Sequence, residues 1–342
     1  MNNVFGIVFA NYNATGFGEL LHRRTIASLP FAGRYRLIDF ALSNMVNSGI
    51  GTVGLIMPTN YRSLIDHVGS GKEWNLSKKI GGLFILPGTV FSGSSNTQKF
   101  MLSDLLVNHR YIERRADDTY AVISSASNVC SLDYTEMIEQ HIESGKTVTF
   151  AYFRDENGAE KPLDCFVVSR ATLLGIIESY PKSSHLDLVE LLEREYGADS
   201  TGRYVFDAYV RPIETIEDYI KANQDLLDPQ LHKQLFRGDR AVFTKVQDEA
   251  PTIYNDGCEV KNSLIPAGCN ISGKVENCVL ARSVVVEEGA SLKNCIVFQH
   301  GTIKRGTVVE NAILDKYVTI SSSVRLCGGT ERPLIIGKNL TL

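Results

Sequence analysis

The hydrophobic and polar positions of the chain follow two patterns, one before and one after about residue 250. In the first part, apolar runs of strand length alternate with segments of helical periodicity. Residues 134–144 have such periodicity, and Gly145 is placed to end that helix. This alternation predicts a mostly parallel α/β sheet. The predicted strands are Val4–Ala10, Thr52–Met57, Tyr120–Ser124 and Thr147–Phe153.

The second part consists of short apolar steps separated by Gly, Asn and charged residues. Its repeat is an aliphatic or aromatic residue, two variable positions, Gly and then a small residue. Two repeats reach the next aliphatic residue six positions on, at Ile271 and Leu292, which predicts a hexapeptide parallel β-helix. A single coil cannot bury its apolar face, whereas stacked coils can. The repeats start at Ile265, Val286, Phe298 and Ile303.

The change of pattern divides the chain into an α/β domain, residues 1–245, and a β-helix domain, residues 251–342. With 342 residues, 44% of them hydrophobic, the chain is long enough to bury a core in each domain. Because hexapeptide β-helices often associate side by side, we expect an oligomer.

Charge and composition narrow the classes of partner. The net charge is −4 and Lys and Arg are scattered, so no nucleic-acid partner is expected. No apolar run approaches the roughly 20 residues of a membrane span, and the first residues lack a signal-peptide pattern. The expected location is therefore the cytoplasm, with no membrane partner. The seven cysteines contain no CxxC pair, which favours small buried thiols over a zinc or redox motif.

The most informative motif is Pro30–Ile50, PFAGRYRLIDFALSNMVNSGI. Together with the region of Trp74, the α/β pattern and the C-terminal repeats, it resembles the glucose-1-phosphate adenylyltransferases (ADP-glucose pyrophosphorylases) along nearly the whole chain. Within that family the chain most resembles the D-type, GlgD-like subunits of glycogen biosynthesis. The resemblance implies a Rossmann-like nucleotide-diphospho-sugar transferase domain and a left-handed parallel β-helix. It also implies a reaction that joins glucose 1-phosphate to ATP with magnesium and releases pyrophosphate.

The phosphate loop of that family is not kept. The family pattern resembles G-G-G-x-G-T-R-L after the first strand, because glycines let backbone N–H groups approach the phosphates. Counting back from Phe31 puts Gly16 at the catalytic Arg and Ile26 at the Lys of an Arg-Ala-Lys-Pro stretch. The loop therefore lacks both the shape and the charge for a triphosphate. The glycine positions hold Ala10, Asn11, Tyr12 and Ala14.

Carboxylates expected near the nucleotide and the metal are also replaced. A motif like G-T-A-D-A keeps only Asp104. Residues 120–134, YAVISSASNVCSLDY, align without gaps with a strand that carries a metal-binding Asp, and Ser127 and Asn128 replace that Asp and a His beside it. In a motif like W-R-D-V-G-T, Pro212 replaces a second metal-side Asp. Neither replacement supplies a carboxylate for magnesium.

These losses predict a catalytically deficient chain, since removing one preorganised electrostatic contact costs about 10²- to 10³-fold in rate. The resemblance then implies a regulatory subunit that modulates a catalytic paralogue, as a heterotetramer. We expect no cofactor on this chain, with magnesium held by the catalytic partner.

Three arginines lie just before or within the Pro30–Ile50 block: Arg24, Arg34 and Arg36. Arg24 and Arg36 match arginines that in the family line an anionic effector site between the sheet and the β-helix. Guanidinium groups bind phosphate in a bidentate manner and stay charged. We hypothesise that they transmit control by a sugar phosphate; the alternative is a solvated basic patch or ion pairs with Asp39 and nearby acids.

Two further segments carry family patterns. Glu160 and Lys161, with the Pro that follows, copy an E-K-P motif that holds glucose 1-phosphate in the family. The alternative is a polar hairpin, because the motif comes early relative to the catalytic pattern. Residues 209–227 match a family helix except at the metal-side Asp, and their apolar spacing predicts core or interface.

Three other functions remain open on the sequence. The chain could be an active adenylyltransferase with substitute residues, dependent on Asp104 or Glu160. It could be a hexapeptide acyltransferase with His300 as base, although the α/β domain would then be unexplained. It could also be a free-standing sugar-phosphate sensor that works as a homo-oligomer.

Overall fold

The computed structural model describes residues 3–10, 14, 16–57, 60–89, 99–114, 118–181, 186–329 and 332–342. In these ranges an α/β domain is followed by a left-handed parallel β-helix, as predicted. The last helix of the α/β domain ends at Leu235, and the first strand of the β-helix begins at Ile253.

Seven of the described strands form the central sheet of the α/β domain, in the order β10-β8-β9-β6-β1-β4-β5. Only β9 is antiparallel to its neighbours, β6 and β8, so the predicted mostly parallel sheet is confirmed. Two short antiparallel ribbons, β2-β3 and β7-β11, lie outside it. The strands are β1 (Val4–Phe9), β2 (Pro30–Phe31), β3 (Tyr35–Arg36), β4 (Thr52–Met57), β5 (Gly82–Pro87), β6 (Tyr120–Ser125), β7 (Asn128–Cys130), β8 (Val148–Arg154), β9 (Glu160–Ser169), β10 (Thr201–Phe206) and β11 (Val210–Pro212).

Helices cover both faces of the sheet, because its strands are apolar on both sides. In β1, Val8 packs into one hydrophobic cluster while Ile7 and Phe9 pack into the other. No helix within the described ranges is long and apolar enough to cross a membrane. The helices are α1 (Leu37–Asn47), α2 (Arg62–Val68), α3 (Leu102–Val107), α4 (His109–Arg114), α5 (Thr135–Ser144), α6 (Arg170–Ser179), α7 (Leu188–Ser200), α8 (Ile216–Asp225) and α9 (Pro229–Leu235), with 3-10 turns at Gly18–Leu21, Ile26–Ser28 and Lys72–Trp74.

The four predicted strands and the predicted helix are confirmed, with ends that differ by one residue at most. Gly145 follows α5 with φ +62°, in the left-handed region, so it ends the helix in the expected way. Local hydrophobic periodicity, with a glycine at the C-terminus of the helix, was sufficient to predict these elements.

The β-helix has three flat faces of parallel strands, two with five and one with four described strands. The strands are β12 (Ile253–Tyr254), β13 (Glu259–Lys261), β14 (Asn270–Ile271), β15 (Lys274–Glu276), β16 (Val279–Leu280), β17 (Val285–Val286), β18 (Ser291–Lys293), β19 (Ile296–Val297), β20 (Thr302–Ile303), β21 (Val308–Glu310), β22 (Ala312–Leu314), β23 (Thr319–Ile320), β24 (Arg325–Cys327) and β25 (Leu334–Ile336).

Aliphatic side chains form columns inside the coils, one above the other. Ile271, Val286, Ile303 and Ile320 are paired in register along one face, and each is fully buried. Burial of the predicted repeat positions is confirmed at Val286, Phe298 and Ile303, whereas Ile265 is only partly buried. Five of the seven cysteines are buried as well, and all seven are free thiols.

Helix α8 joins the two domains. Tyr219 of α8 is fully buried, and its cluster includes Val279, Ile296 and Ile313 of the four-stranded β-helix face. Asn223 on the same helix accepts a hydrogen bond from the backbone N–H of Ala32 at 3.1 Å. The predicted role of this helix as core and interface is confirmed, and it anchors the β2-β3 turn against the β-helix.

Candidate functional site

The residues aligned with the phosphate loop follow the carboxyl end of β1, which lies parallel to β6. Ala10 is buried, and Gly16 is exposed with φ +85° and no neighbour within 4 Å of where a Cβ would stand. Asn11 and Tyr12 lie outside the described residues. The position expected for the catalytic Arg is therefore a glycine, with open space around it among the residues that the structure describes.

The position expected for a loop lysine belongs to the hydrophobic core. Ile26 is 1% exposed and starts a 3-10 turn. It packs in one cluster with Leu29 and Phe31. A charged side chain here would be buried without water, so this position contributes packing rather than phosphate contact.

The two positions aligned with metal-binding carboxylates, Ser127 and Pro212, lie side by side. Pro212 of β11 is paired with Asn128 of β7, and the N–H of Ile213 donates to the carbonyl of Ser127 at 3.0 Å. The Ser127 hydroxyl forms a hydrogen bond of 2.8 Å with Ser125. Motifs far apart in the sequence thus meet at one place, and neither brings a carboxylate to it.

A buried lysine lies beside this pair. The ammonium of Lys99 donates to the carboxylate of Asp164 on β9 and, at 2.5 Å, to that of Glu214, which follows β11. The Lys99 side chain is 10% exposed. Burial acts to lower the pKa of Lys99, but the two carboxylates outweigh this effect and raise it, so the group stays charged at neutral pH.

Asp104, the kept residue of its motif, is fully buried in α3. Its carboxylate accepts hydrogen bonds from the N–H of Thr89 at 2.7 Å and from the Thr89 hydroxyl at 2.6 Å. These bonds tie the segment after β5 to the start of α3. Asp104 therefore has a structural role at this point of the fold.

A cleft of about 1020 Å³ lies between the β8-β9 hairpin and the β11-α8 segment. Lys161 lines it, whereas Glu160 forms ion pairs with Arg203 at 3.0 Å and Arg154 at 3.5 Å. Neighbouring residues of a strand point to opposite faces, which separates the two side chains of the E-K-P motif. The structure therefore places only Lys161 at the cleft.

The tip of the β8-β9 hairpin is bound to the opposite wall of the cleft. Glu156 accepts hydrogen bonds from Arg211 at 2.6 Å and Lys221 at 2.9 Å. Hydrogen bonds from these two cations lower the pKa of Glu156 to about 2. The hairpin and α8 are thus linked across the cleft mouth.

Of the three effector-site arginines, Arg24 is the most buried, at 6% exposure. Its Nη2 donates to both carboxylate oxygens of Asp315 in the β-helix, each at 2.9 Å. Its buried Nη1 has no hydrogen-bond partner among the residues that the structure describes. The predicted alternative, ion pairing with a nearby acid, is therefore realised for Arg24, but with Asp315 rather than Asp39.

Arg36 and Arg34 lie on the same side of the interface. Arg36 donates to the carbonyl of Ser63 at 2.6 Å, and burial lowers its pKa to about 10. Arg34 lies over the ring of Tyr35 and lines a cavity of about 450 Å³ between the domains, together with the buried Arg282. Burial and the charge of Arg34 lower the pKa of Arg282.

Lys316 of the β-helix completes this cluster. It shares a small interdomain cavity with Arg34 and Arg36. Burial, followed by the charges of Arg36 and Arg24, lowers the pKa of Lys316 to about 7. Cations this close repel one another, which lowers their pKa values. An anion bound between them would relieve this repulsion, so the cluster is suited to anion binding.

His300, the candidate acyltransferase base, lies at a corner of the β-helix. Its ring stacks on Tyr317, with centroids 4.8 Å apart and planes at 15°. Lys338 lies 5.8 Å from the Tyr317 ring centroid on the same surface. The described contacts give His300 an aromatic neighbour and show no carboxylate that would orient it as a base.

Several residues of these sites have no local signal in the sequence. Lys99 and its carboxylate partners are 65 and 115 residues apart. Arg282 and Lys316 sit in turns of the repeat, where charged residues are common. Only the folded chain brings them to the arginines of the first domain.

The fold and the site define a nucleotidyl transferase type of α/β domain joined to a hexapeptide β-helix. Family models agree: residues 19–162 match "Nucleotidyl transferase" and residues 249–331 match "GlmU-like, C-terminal hexapeptide".

Similar proteins narrow this class. The chain is 38% identical to the "Glycogen biosynthesis protein GlgD" of Bacillus subtilis (strain 168), over 99% of this chain and 97% of that protein. It is 36% identical to the protein of the same name from Geobacillus stearothermophilus, over 84% and 82% of the two chains. A glucose-1-phosphate adenylyltransferase of Thermotoga neapolitana is 29% identical over 86% of this chain and 77% of its own. The chain belongs to the family of GlgD glycogen biosynthesis proteins.

Proposed function

We propose that this chain is a catalytically deficient, regulatory subunit in glycogen biosynthesis. Its partner would be a catalytic paralogue that makes ADP-glucose and pyrophosphate from ATP and glucose 1-phosphate. The names of its relatives support the pathway and the reaction. The regulatory role is inferred from the site.

One observation carries the proposal: Ser127 and Pro212 are neighbours in the fold. The two replaced carboxylates would have served the same metal ion, and neither Ser127 nor Pro212 supplies a carboxylate in their place. Open space at Gly16 and the apolar Ile26 remove the loop cations as well. With each such contact worth about 10²- to 10³-fold in rate, the isolated chain should synthesise almost no ADP-glucose.

Control of a partner requires differential binding. A subunit shifts a partner's equilibrium only by the difference in its affinity for the two states. We infer a hetero-oligomer, a heterotetramer in the simplest arrangement, in which this chain favours the partner's active conformation. Magnesium would be held by the partner alone.

The test is a mixing experiment with purified chains and an assay of pyrophosphate release. We expect a negligible rate for this chain, a basal rate for the partner, and a changed rate or effector response for the mixture. Native mass measurement of the mixture gives the stoichiometry. An unchanged rate, affinity and activator response on mixing would defeat the proposal, and brisk turnover by this chain alone would favour the active enzyme.

We further propose two ligand contacts. Arg24, Arg34 and Arg36, with Lys316 and Arg282, would bind an anionic effector such as a sugar phosphate at the domain interface. Support comes from the Nη1 of Arg24, which has no partner in the part of the chain that the structure describes. Lys161 would contact a sugar phosphate in the cleft.

Glu160 is the weaker member of that motif, because its carboxylate is engaged by two arginines on the other face of the hairpin. Its contribution to ligand binding would require those ion pairs to open.

A further inference from the structure

The ion cluster around Lys99 bears on the metal that the family resemblance implies. Lys99 pairs with two carboxylates, those of Asp164 and Glu214, and Glu214 lines the cleft. Glu214 comes two residues after Pro212, and the backbone carbonyl of Asp164 accepts a hydrogen bond from the amide of Asn128 at 3.4 Å. The ammonium is therefore linked, through its two carboxylate partners, to both of the metal motifs.

The residues present do not fit a divalent cation. Magnesium and manganese are bound by oxygen ligands, with carboxylates most important. Here the aligned positions hold a hydroxyl and a proline, and the two carboxylates nearby are already engaged by Lys99. A second positive charge close to a buried ammonium would be strongly unfavourable.

A buried amide oxygen lies next to Ser127 in the chain. The Oδ1 of Asn128 is buried and has no hydrogen-bond partner among the described residues, in a side chain that is 3% exposed. An amide oxygen is a ligand that hard cations accept. With Lys99 shortened, the carboxylates of Asp164 and Glu214 would face a space left by the ammonium.

We infer that the ammonium of Lys99 is a built-in cation that takes the place of the divalent metal in this chain. It links β9 to the segment between β11 and α8, and it excludes the metal electrostatically. The cleft then keeps its shape with no metal bound. The inference rests on the proposed absence of metal-assisted catalysis, but it concerns metal binding and can fail separately.

The test is a titration with manganese alone, followed by electron paramagnetic resonance of free Mn²⁺ and by thermal unfolding. The full-length chain is compared with Lys99→Ala and with Lys99→Met, which fills more of the space. Lys274→Ala is the matched control, since Lys274 also pairs with a carboxylate, Glu259, on the exposed β-helix surface.

We expect no saturable manganese binding by the unmodified chain or by K274A. K99A should gain one site, at least about tenfold tighter than any binding by the unmodified chain, comparable to the effect of ligand-shell changes in metal proteins. Manganese should also restore part of the thermal stability that K99A loses.

Saturable manganese binding by the unmodified chain would overturn the inference, whatever the variants do. Equal weak binding by K99A, K99M and K274A would also overturn it. Neither result alters the mixing experiment, because a chain can bind manganese and still make no ADP-glucose.

Discussion

At the scale of single residues, the ion pair of Arg24 and Asp315 is a buried link between the domains. Their side chains are 7% and 1% exposed. Two charges taken out of water are stable only while they satisfy each other. Loss of one partner would leave the other charged in a dry interface.

Asp315→Asn should therefore destabilise the chain by about 3–5 kcal/mol, measured as the free energy of unfolding in urea. The double variant Arg24→Leu, Asp315→Leu should lose much less, because it leaves no unpaired charge. Glu259→Gln, which removes an exposed ion pair with Lys274, should change little. Equal losses for D315N and the double variant would show that packing, not charge, holds this contact.

The replaced site residues could be predicted because they stand inside alignable motifs. Ser127 lies in a gapless match anchored at both ends, and Pro212 precedes a well-matched helix. Lys99 could not be predicted, since its role depends on carboxylates that the fold brings from two other elements. For the same reason the sequence suggested Asp39 as an ion-pair partner for Arg24, whereas in the folded chain Arg24 pairs with Asp315 of the other domain.

At the scale of elements, α5 packs on the sheet through a histidine. His141 is 2% exposed, its Nδ1 is 2.8 Å from the Thr149 hydroxyl on β8, and its ring meets Tyr120 of β6 edge to face. Burial lowers the pKa of His141 from 6.5 to about 4. The helix is therefore docked with a neutral imidazole.

Acid should weaken this docking. Between pH 6.5 and about 4 the unfolded chain binds a proton at His141 that the folded chain does not, so stability falls as the pH falls. One such proton gives a slope of at most about 1.4 kcal/mol per pH unit. Urea unfolding across this range should show a smaller slope for His141→Gln.

The exposed His22 provides the control, since His22→Gln should keep the slope of the unmodified chain. An H141Q slope equal to that of the unmodified chain would rule out this histidine as the source.

Elements with a local hydrophobic period could be predicted from the sequence, but the order in which the strands lie next to one another in the sheet could not. The predicted strands and α5 follow from apolar runs and Gly145, and the interior columns of the β-helix follow from the hexapeptide period. The antiparallel insertion of β9 between β6 and β8 has no such signal. Register and neighbour choice depend on the whole sheet, which a local pattern does not contain.

At the scale of the whole molecule, the two domains enclose a cluster of cations at their interface. Arg34 and Arg36 come from the α/β domain and Lys316 from the β-helix, and the same small cavity touches all three. Repulsion among these cations destabilises the domain interface, whereas the apolar contacts of α8 with the β-helix stabilise it. An anion at this place would turn repulsion into a bridge, so ligand binding and domain packing should be coupled.

Inorganic phosphate should therefore raise the temperature of thermal unfolding beyond the effect of sodium chloride at the same ionic strength. A ligand at 100 times its dissociation constant stabilises a protein by about 2.7 kcal/mol. Arg36→Ala and Lys316→Ala should each lose most of this gain, because a bridging anion needs both domains. Lys304→Ala, an exposed change on the β-helix, should keep it.

If R36A responded normally and K316A did not, the anion would bind to the β-helix alone, and control could not pass through the interface. If phosphate raised the unfolding temperature equally in all variants, the effect would be general screening of charge. The cation cluster would then only set the strength of packing between the domains.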